Sequence, residues 1–130
     1  MKKTLVWAHR GASGYAPENT LEAFQKAIDL KSDGIELDVQ MTKDGKLVII
    51  HDETVNRVSE AKGRVKDFTY KEIRKLNVNK KFPECGKAVI PTLEEVYDLM
   101  KANDLMMNVE IKSSIVFYEN IEEKVMELTK

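Results

Sequence analysis

A chain of 130 residues is one domain's worth of polypeptide, long enough to bury a core of its own. Its 21 basic and 22 acidic side chains leave a net charge of −1, which excludes a nucleic-acid partner held by bulk charge. The apolar run after Met1-Lys2-Lys3 stops at Ala8, too short for a signal-peptide core or a membrane span, and the single cysteine, Cys85, permits no internal disulfide, so the expected location is the cytoplasm.

Thr4 to Ala8 (TLVWA), with its β-branched and aromatic content, predicts strand one, and His9 follows at its exit. Gly11, Ser13, Gly14 and Pro17 make the next stretch a loop. Asn19-Thr20-Leu21-Glu22 carries the N-cap and N3 residues of a capping box, and Leu21, Phe24, Ala27, Ile28 and Leu30 continue a helix to about Lys31. Asp33-Gly34 ends that helix and opens strand two, Gly34-Ile35-Glu36-Leu37-Asp38-Val39. There Glu36 and Asp38 point one way, opposite Ile35, Leu37 and Val39. Two like charges about 6–7 Å apart and partly desolvated are costly unless something positive lies between them.

A polar stretch with the turn signal Asp44-Gly45 leads to strand three, Leu47 to Ile50, which delivers His51. A two-residue hairpin sets Lys43 against Lys46 and His51 opposite Asp38, whereas an extended return for parallel pairing brings both to the same end of the sheet. Residues 52–89 are the least regular, an excursion over the active face with one helix after the capping box Thr69-Tyr70-Lys71-Glu72. Thr92 with Glu95 at N3 opens a helix striped by Leu93, Val96, Tyr97, Leu99 and Met100. Met106 to Ile111 is strand four, with Glu110 and Lys112 on one face, and Phe117, Ile121, Val125 and Leu128 define a tail helix from Phe117 to Leu128. This alternation implies an α/β fold with parallel pairing.

Each polar residue singled out has a plain structural reading: a surface histidine, a cross-strand ion pair for Glu110 and Lys112, a solvated strand face for Glu36 and Asp38. Jointly they fall at strand C-terminal ends, which favours function. Glu36, Asp38 and Glu110 form an all-oxygen set suited to Mg²⁺ or Ca²⁺. His9 and His51 are the histidines available for acid-base work, and Arg10 and Lys112 suit a phosphate. The combination points to phosphoester chemistry.

His9-Arg10-Gly11 with Pro17-Glu18-Asn19-Thr20, Glu36-x-Asp38, Thr42-Lys43-Asp44-Gly45, His51-Asp52, Ile90-Pro91-Thr92-Leu93-Glu94-Glu95 and Glu110-Ile111-Lys112 form an ordered set. In it the chain resembles the glycerophosphodiester phosphodiesterases, members of the phospholipase-C-like TIM barrels. The resemblance implies Glu36, Asp38 and Glu110 as ligands of Mg²⁺ or Ca²⁺, His9 and His51 as acid and base, and Arg10 and Lys112 on the phosphate. It also implies hydrolysis of a small-molecule glycerophosphodiester to glycerol 3-phosphate and an alcohol. A TIM barrel typically takes about 250 residues. The expected fold is therefore a (β/α)8 barrel type truncated to roughly its first four strands, a half-barrel over residues 1–130 with 52–89 an inserted region after strand three. Three outcomes stay open: a fragment of a longer enzyme, a homodimer completing the barrel, or a poorly stable monomer. Two rival activities also stay open, an inactive or oligomerising module that retains the metal site, and hydrolysis like that of lysophospholipase D or sphingomyelinase D.

Overall fold

The computed structural model describes residues 3–130, and the basic start at Met1 and Lys2 lies outside them. In chain order the elements are β1 (Trp7–His9), α1 (Leu21–Asp29), β2 (Gly34–Met41), β3 (Leu47–Ile49), α2 (Tyr70–Ile73), α3 (Leu93–Met100), β4 (Met106–Ile111) and α4 (Ile121–Thr129). Alternation along β2 sets the architecture. Ile35, Leu37 and Val39 are buried against Phe24 and Ala27 of α1, Leu93 and Val96 of α3, and Ile121 and Val125 of α4. Glu36, Asp38 and Gln40 take the other face.

β1 and β4 run parallel to β2, with His9 opposite Glu36 and Asp38 opposite Glu110. β3 runs antiparallel to the end of β2. Alternate residues of a strand bond to opposite edges. The Glu36 and Asp38 carbonyls accept from Arg10 N and Ile50 N, whereas the Val39 carbonyl accepts from Lys112 N. β1 and β3 thus share one edge of β2, and β4 has the other. Three strands run parallel as expected and the fourth turns back.

Several local expectations shift by a few residues, each for a physical reason. Strand one begins at Trp7, because β2 offers a partner only from Gly34 onward. Val6 is tied instead to the preceding turn, its N–H donating to Asp33 Oδ2 at 2.8 Å. The hairpin loop holds three residues, not two: Thr42 N–H donates to the Lys46 carbonyl at 2.9 Å, and Gly45 takes a left-handed φ of 84°. The extra residue slides the register by one, so Asp38 faces Ile50, whose N–H donates to its carbonyl at 3.0 Å, and not His51. Helix α1 is capped by Thr20, whose Oγ1 accepts from Ala23 N–H at 3.2 Å, while Asn19 is left-handed and turned elsewhere. The caps at Thr69 and Thr92 are reciprocal capping boxes as expected. The tail helix starts at Ile121, leaving Phe117 82% exposed and burying Tyr118 in its place.

Residues 52–89 enclose a second core, in which Val55, Val65, Ile73, Val78 and Ala88 pack on Val48 and Ile50 beside β3 and on Ile90. This gives the irregular backbone a fixed seat next to the strand ends.

Gly11 anchors the loop that follows β1. Its φ is +76°, and a Cβ there would meet the backbone and Cβ of Ala23 in α1 at 2.8 Å. Gly11→Ala is expected to destabilise the protein by about 1–3 kcal/mol through left-handed strain plus the clash. Denaturant unfolding measures this, and a change near zero would show that the loop can retreat from α1.

Candidate active site

Asp38 is fully buried on the polar face of β2, and the Glu36 side chain beside it is 14% exposed. Glu110 stands opposite Asp38 on β4, and one carboxylate oxygen from each of the three lies within 4.8 Å of the others. Asp38 Oδ2 accepts from Asn19 Nδ2 at 3.0 Å and lies 3.7 Å from Arg10 Nε. Its Oδ1 lies 3.7 Å from Lys112 Nζ, and Glu36 Oε2 lies 3.5 Å from His9 Nε2.

Two oxygens of this cluster, Glu36 Oε1 and Asp38 Oδ1, are buried without a hydrogen-bond partner. Leaving carboxylate oxygens without a hydrogen bond in the interior is costly, and the Lys112 ammonium 3.7 Å from Asp38 Oδ1 offsets only part of it. Burial first, and the Asp38 charge second, push the Glu36 carboxyl above its ordinary value of 4.5. Lys112, hydrogen-bonded to Glu110 at 3.0 Å, holds that carboxyl below the usual range, with a smaller contribution from His51. The donor set is hard and all-oxygen, and it could hold a metal ion.

Two different strands deliver the histidines, His9 directly beside the cluster and His51 to Asp52. His9 ends β1, its side chain 65% exposed beside Glu36. His51 follows β3, and its Nδ1 lies 2.8 Å from Asp52 Oδ1. Arg57 then clamps two carboxylates at once: Nε donates to Asp52 at 2.9 Å, and Nη1 and Nη2 donate to Glu18 at 2.6 and 3.0 Å. Glu18 in turn accepts from Arg10 Nη1 at 3.2 Å. Burial raises the Glu18 and Asp52 carboxyls, but hydrogen bonds from Arg57 outweigh it, and both end below their ordinary values. A continuous chain of charge-assisted contacts thus runs from His51 to Arg10. Arg10 and Asn19 both sit at positive φ, 60° and 56°, two of the four non-glycine residues with that backbone conformation among the described residues.

All seven residues expected from the sequence therefore lie at the same end of the sheet. His9, Arg10, Glu36, Asp38, Glu110 and Lys112 form direct ion-pair contacts, while His51 joins through Asp52, Arg57 and Glu18. The side-chain bond from Asn19 and the Arg57 clamp lay outside that set. So did Gln40, whose Nε2 donates to the His51 carbonyl at 2.8 Å while its Oε1 accepts from Tyr118 at 2.6 Å. Gln40 had a signal, since it continues the period-two polar row of Glu36 and Asp38. Burial and the neighbouring Glu53 push the Tyr118 hydroxyl up to about 12, so it stays a donor.

Parallel strands backed by helices, with the polar cluster at their C-terminal ends, define the chain as part of a (β/α)8 barrel with its site at the strand ends. The model of the glycerophosphoryl diester phosphodiesterase family matches residues 9–128, and the chain belongs to that family. It is 56% identical to a glycerophosphodiester phosphodiesterase of Caldanaerobacter subterraneus over 98% of this chain and 53% of that protein. The glycerophosphodiester phosphodiesterase structure from Agrobacterium tumefaciens superposes with a TM-score of 0.85 at 33% identity, over 98% of this chain and 52% of that one. A phosphodiesterase of Oleispira antarctica, solved with the product sn-glycerol-3-phosphate, gives 0.84 at 31% identity, over 97% and 50%. The chain spans about half the length of the curated relatives it matches. Among the described residues no helix is long and apolar enough to cross a membrane.

Proposed function

We propose that the protein hydrolyses glycerophosphodiesters to glycerol 3-phosphate and an alcohol, with a divalent ion held by Glu36, Asp38 and Glu110. The observation that carries this reading is the convergence of three carboxylates, with Glu36 Oε1 and Asp38 Oδ1 buried without a hydrogen-bond partner, beside His9, Arg10 and Lys112. When bound, Mg²⁺ or Ca²⁺ supplies positive charge for the phosphate oxygens. Arg10 and Lys112, each 3.7 Å from Asp38, bind and orient the phosphate beside the acidic cluster. The bond from phosphorus to the alcohol oxygen breaks and a water oxygen joins phosphorus. One histidine takes a proton from that water and the other returns one to the departing alcohol. Asp52 holds His51 through Nδ1 and so leaves Nε2 free for this transfer.

The glycerol 3-phosphate product of the Oleispira antarctica relative supports the same products here. Residues 52–89, seated on their own core, serve as an insertion that shapes the approach to the strand ends. Leu5, Val6 and Trp7, leading into β1 at the edge of the sheet, are 51, 60 and 41% exposed, apolar surface that a second copy completing the barrel would cover, and sedimentation reads that dimer. The lone cysteine, exposed Cys85, suits a reducing compartment, and we assign the reaction to the cytoplasm.

The direct test is release of glycerol 3-phosphate from a panel of glycerophosphodiesters with Mg²⁺ or Ca²⁺ and with a chelator. Release that stops on chelation is expected; no release, or release indifferent to the chelator, would overturn the proposal. Removing the Arg57 clamp is expected to cut kcat by about 10–100-fold, as losing a partner behind a functional side chain typically does. Arg57→Lys, a point charge without the fork, recovers only part of that loss. Steady-state kinetics of Arg57→Ala and Arg57→Lys measure it, and equal rates in both variants and wild type would remove the clamp from the mechanism.

A further inference from the structure

A cavity of about 460 Å³ opens between the loop after β1 and the 52–89 segment, walled by Arg10, Glu18, Arg57, Val78, Lys80 and Lys81. Its size is that of a small-molecule site. It meets the acidic cluster through a single guanidinium, since Arg10 Nε faces Asp38 at 3.7 Å while Nη1 of the same group meets Glu18 at 3.2 Å. A phosphate diester held by Arg10 at the cluster therefore has this cavity beside it for one of its two substituents.

The charge of the wall decides what that substituent can be. Glu18 is already engaged by Arg10 and Arg57, and Asp52 behind it by Arg57 and His51, so these carboxylates are neutralised within the wall. Lys80 and Lys81 are exposed, and neither has an ion-pair partner among the described residues. Lys80 Nζ reaches only the Asn56 carbonyl, at 3.4 Å, which keeps its ammonium on the wall next to Arg57. The free charge facing the cavity is thus positive. Recognition of a quaternary ammonium uses aromatic faces. None of the side chains lining this cavity is aromatic, and the Phe82 ring, 6.0 Å from Lys81 Nζ, is not part of the lining.

The geometry points to the cavity as the subsite for the leaving alcohol, selective for glycerophosphodiesters whose alcohol carries an additional phosphate and against those of choline. This rests on the hydrolase reading, and deepens it by naming the substrate class. The lysines supply charge-assisted donors to the second anion, and the apolar Val78 packs against the carbon skeleton between the two phosphates.

Two measurements test it together. In the first, kcat/KM is compared for the glycerophosphodiesters of inositol 4-phosphate and of choline. The second is calorimetric binding of the two alcohols themselves, inositol 4-phosphate and choline, which needs no turnover. Both are made on the wild type and on the Lys80→Gln/Lys81→Gln double variant, whose exposed positions tolerate substitution. The inositol phosphate diester is expected to be preferred by about tenfold or more, the factor of one charge-assisted contact, and its alcohol to bind about tenfold more weakly to the double variant. A choline diester turned over equally well, or inositol phosphate binding unaltered in the double variant, would overturn the subsite. Lysine-dependent binding without hydrolysis of any diester would uphold the cavity and overturn the hydrolase reading instead.

Discussion

His51→Ala is expected to lower kcat by about 10²–10⁴-fold, the usual worth of a positioned proton-transfer group. The fold should survive, because the imidazole makes its one side-chain hydrogen bond to Asp52 at the rim and lies outside both apolar cores. His9→Ala should act in the same range, since its ring ends β1 beside Glu36 and is mostly exposed. Asp52→Asn keeps the shape of the residue that orients His51 but removes its charge, and is expected to lower kcat with little change in KM. Initial rates at saturating ion, with unfolding curves as the control for folding, measure all three. Wild-type rates in both histidine variants would remove acid-base catalysis by this pair.

Glu36→Gln is expected to separate stability from ion binding. In the ion-free protein it removes a carboxylate that burial and the Asp38 charge disfavour, so stability should hold or rise. With ion present the sign reverses. An ion at about a hundred times its Kd stabilises the native state by about 2.7 kcal/mol, and the variant should lose most of that gain. The pH dependence has a definite direction as well. The raised Glu36 value means that its contribution in the ion-free protein is fully present below pH 4.5 and is lost as pH rises through the raised value. Glu18 and Asp52, held low by Arg57 against the effect of burial, contribute with the opposite sign: their stabilisation is present above their ordinary values of 4.5 and 3.8 and is lost as pH falls through the depressed ones. Thermal melts across this range, with and without Ca²⁺, should show the ion restoring what the ion-free protein loses on the alkaline side. A Glu36→Gln protein that responds to Ca²⁺ as the wild type does would contradict the assignment of Glu36.

What the sequence made legible was local. Thr69 with Glu72 and Thr92 with Glu95 fold into capping boxes because both partners lie within one turn of helix. The alternation of β2 assigned Ile35, Leu37 and Val39 to the core and Glu36 and Asp38 to the site because side-chain direction has period two. What it concealed depended on one backbone angle or on distant contacts. The hairpin register turned on Gly45 adopting a left-handed φ in a three-residue loop, which no spacing of apolar residues reveals. Asn19 read as a helix cap because its chemistry suits one, yet its amide is committed to Asp38 and Thr20 caps the helix. Arg57 reaches Glu18 across 39 positions of sequence, and nothing in its own neighbourhood distinguishes it from a solvated arginine. Tyr118 takes the buried place expected of Phe117, since it has a hydrogen-bond partner inside, Gln40, that Phe117 could not use.

Anomalous diffraction from crystals of the protein grown with Mn²⁺, as a probe for the lighter divalent ions, tests the central claim most directly. The expected result is one strong peak bounded by Glu36, Asp38 and Glu110, within reach of His9 and His51, and absent in crystals of Glu36→Gln. A peak elsewhere with this triad empty, or Glu110 turned away from the other two carboxylates, would contradict it.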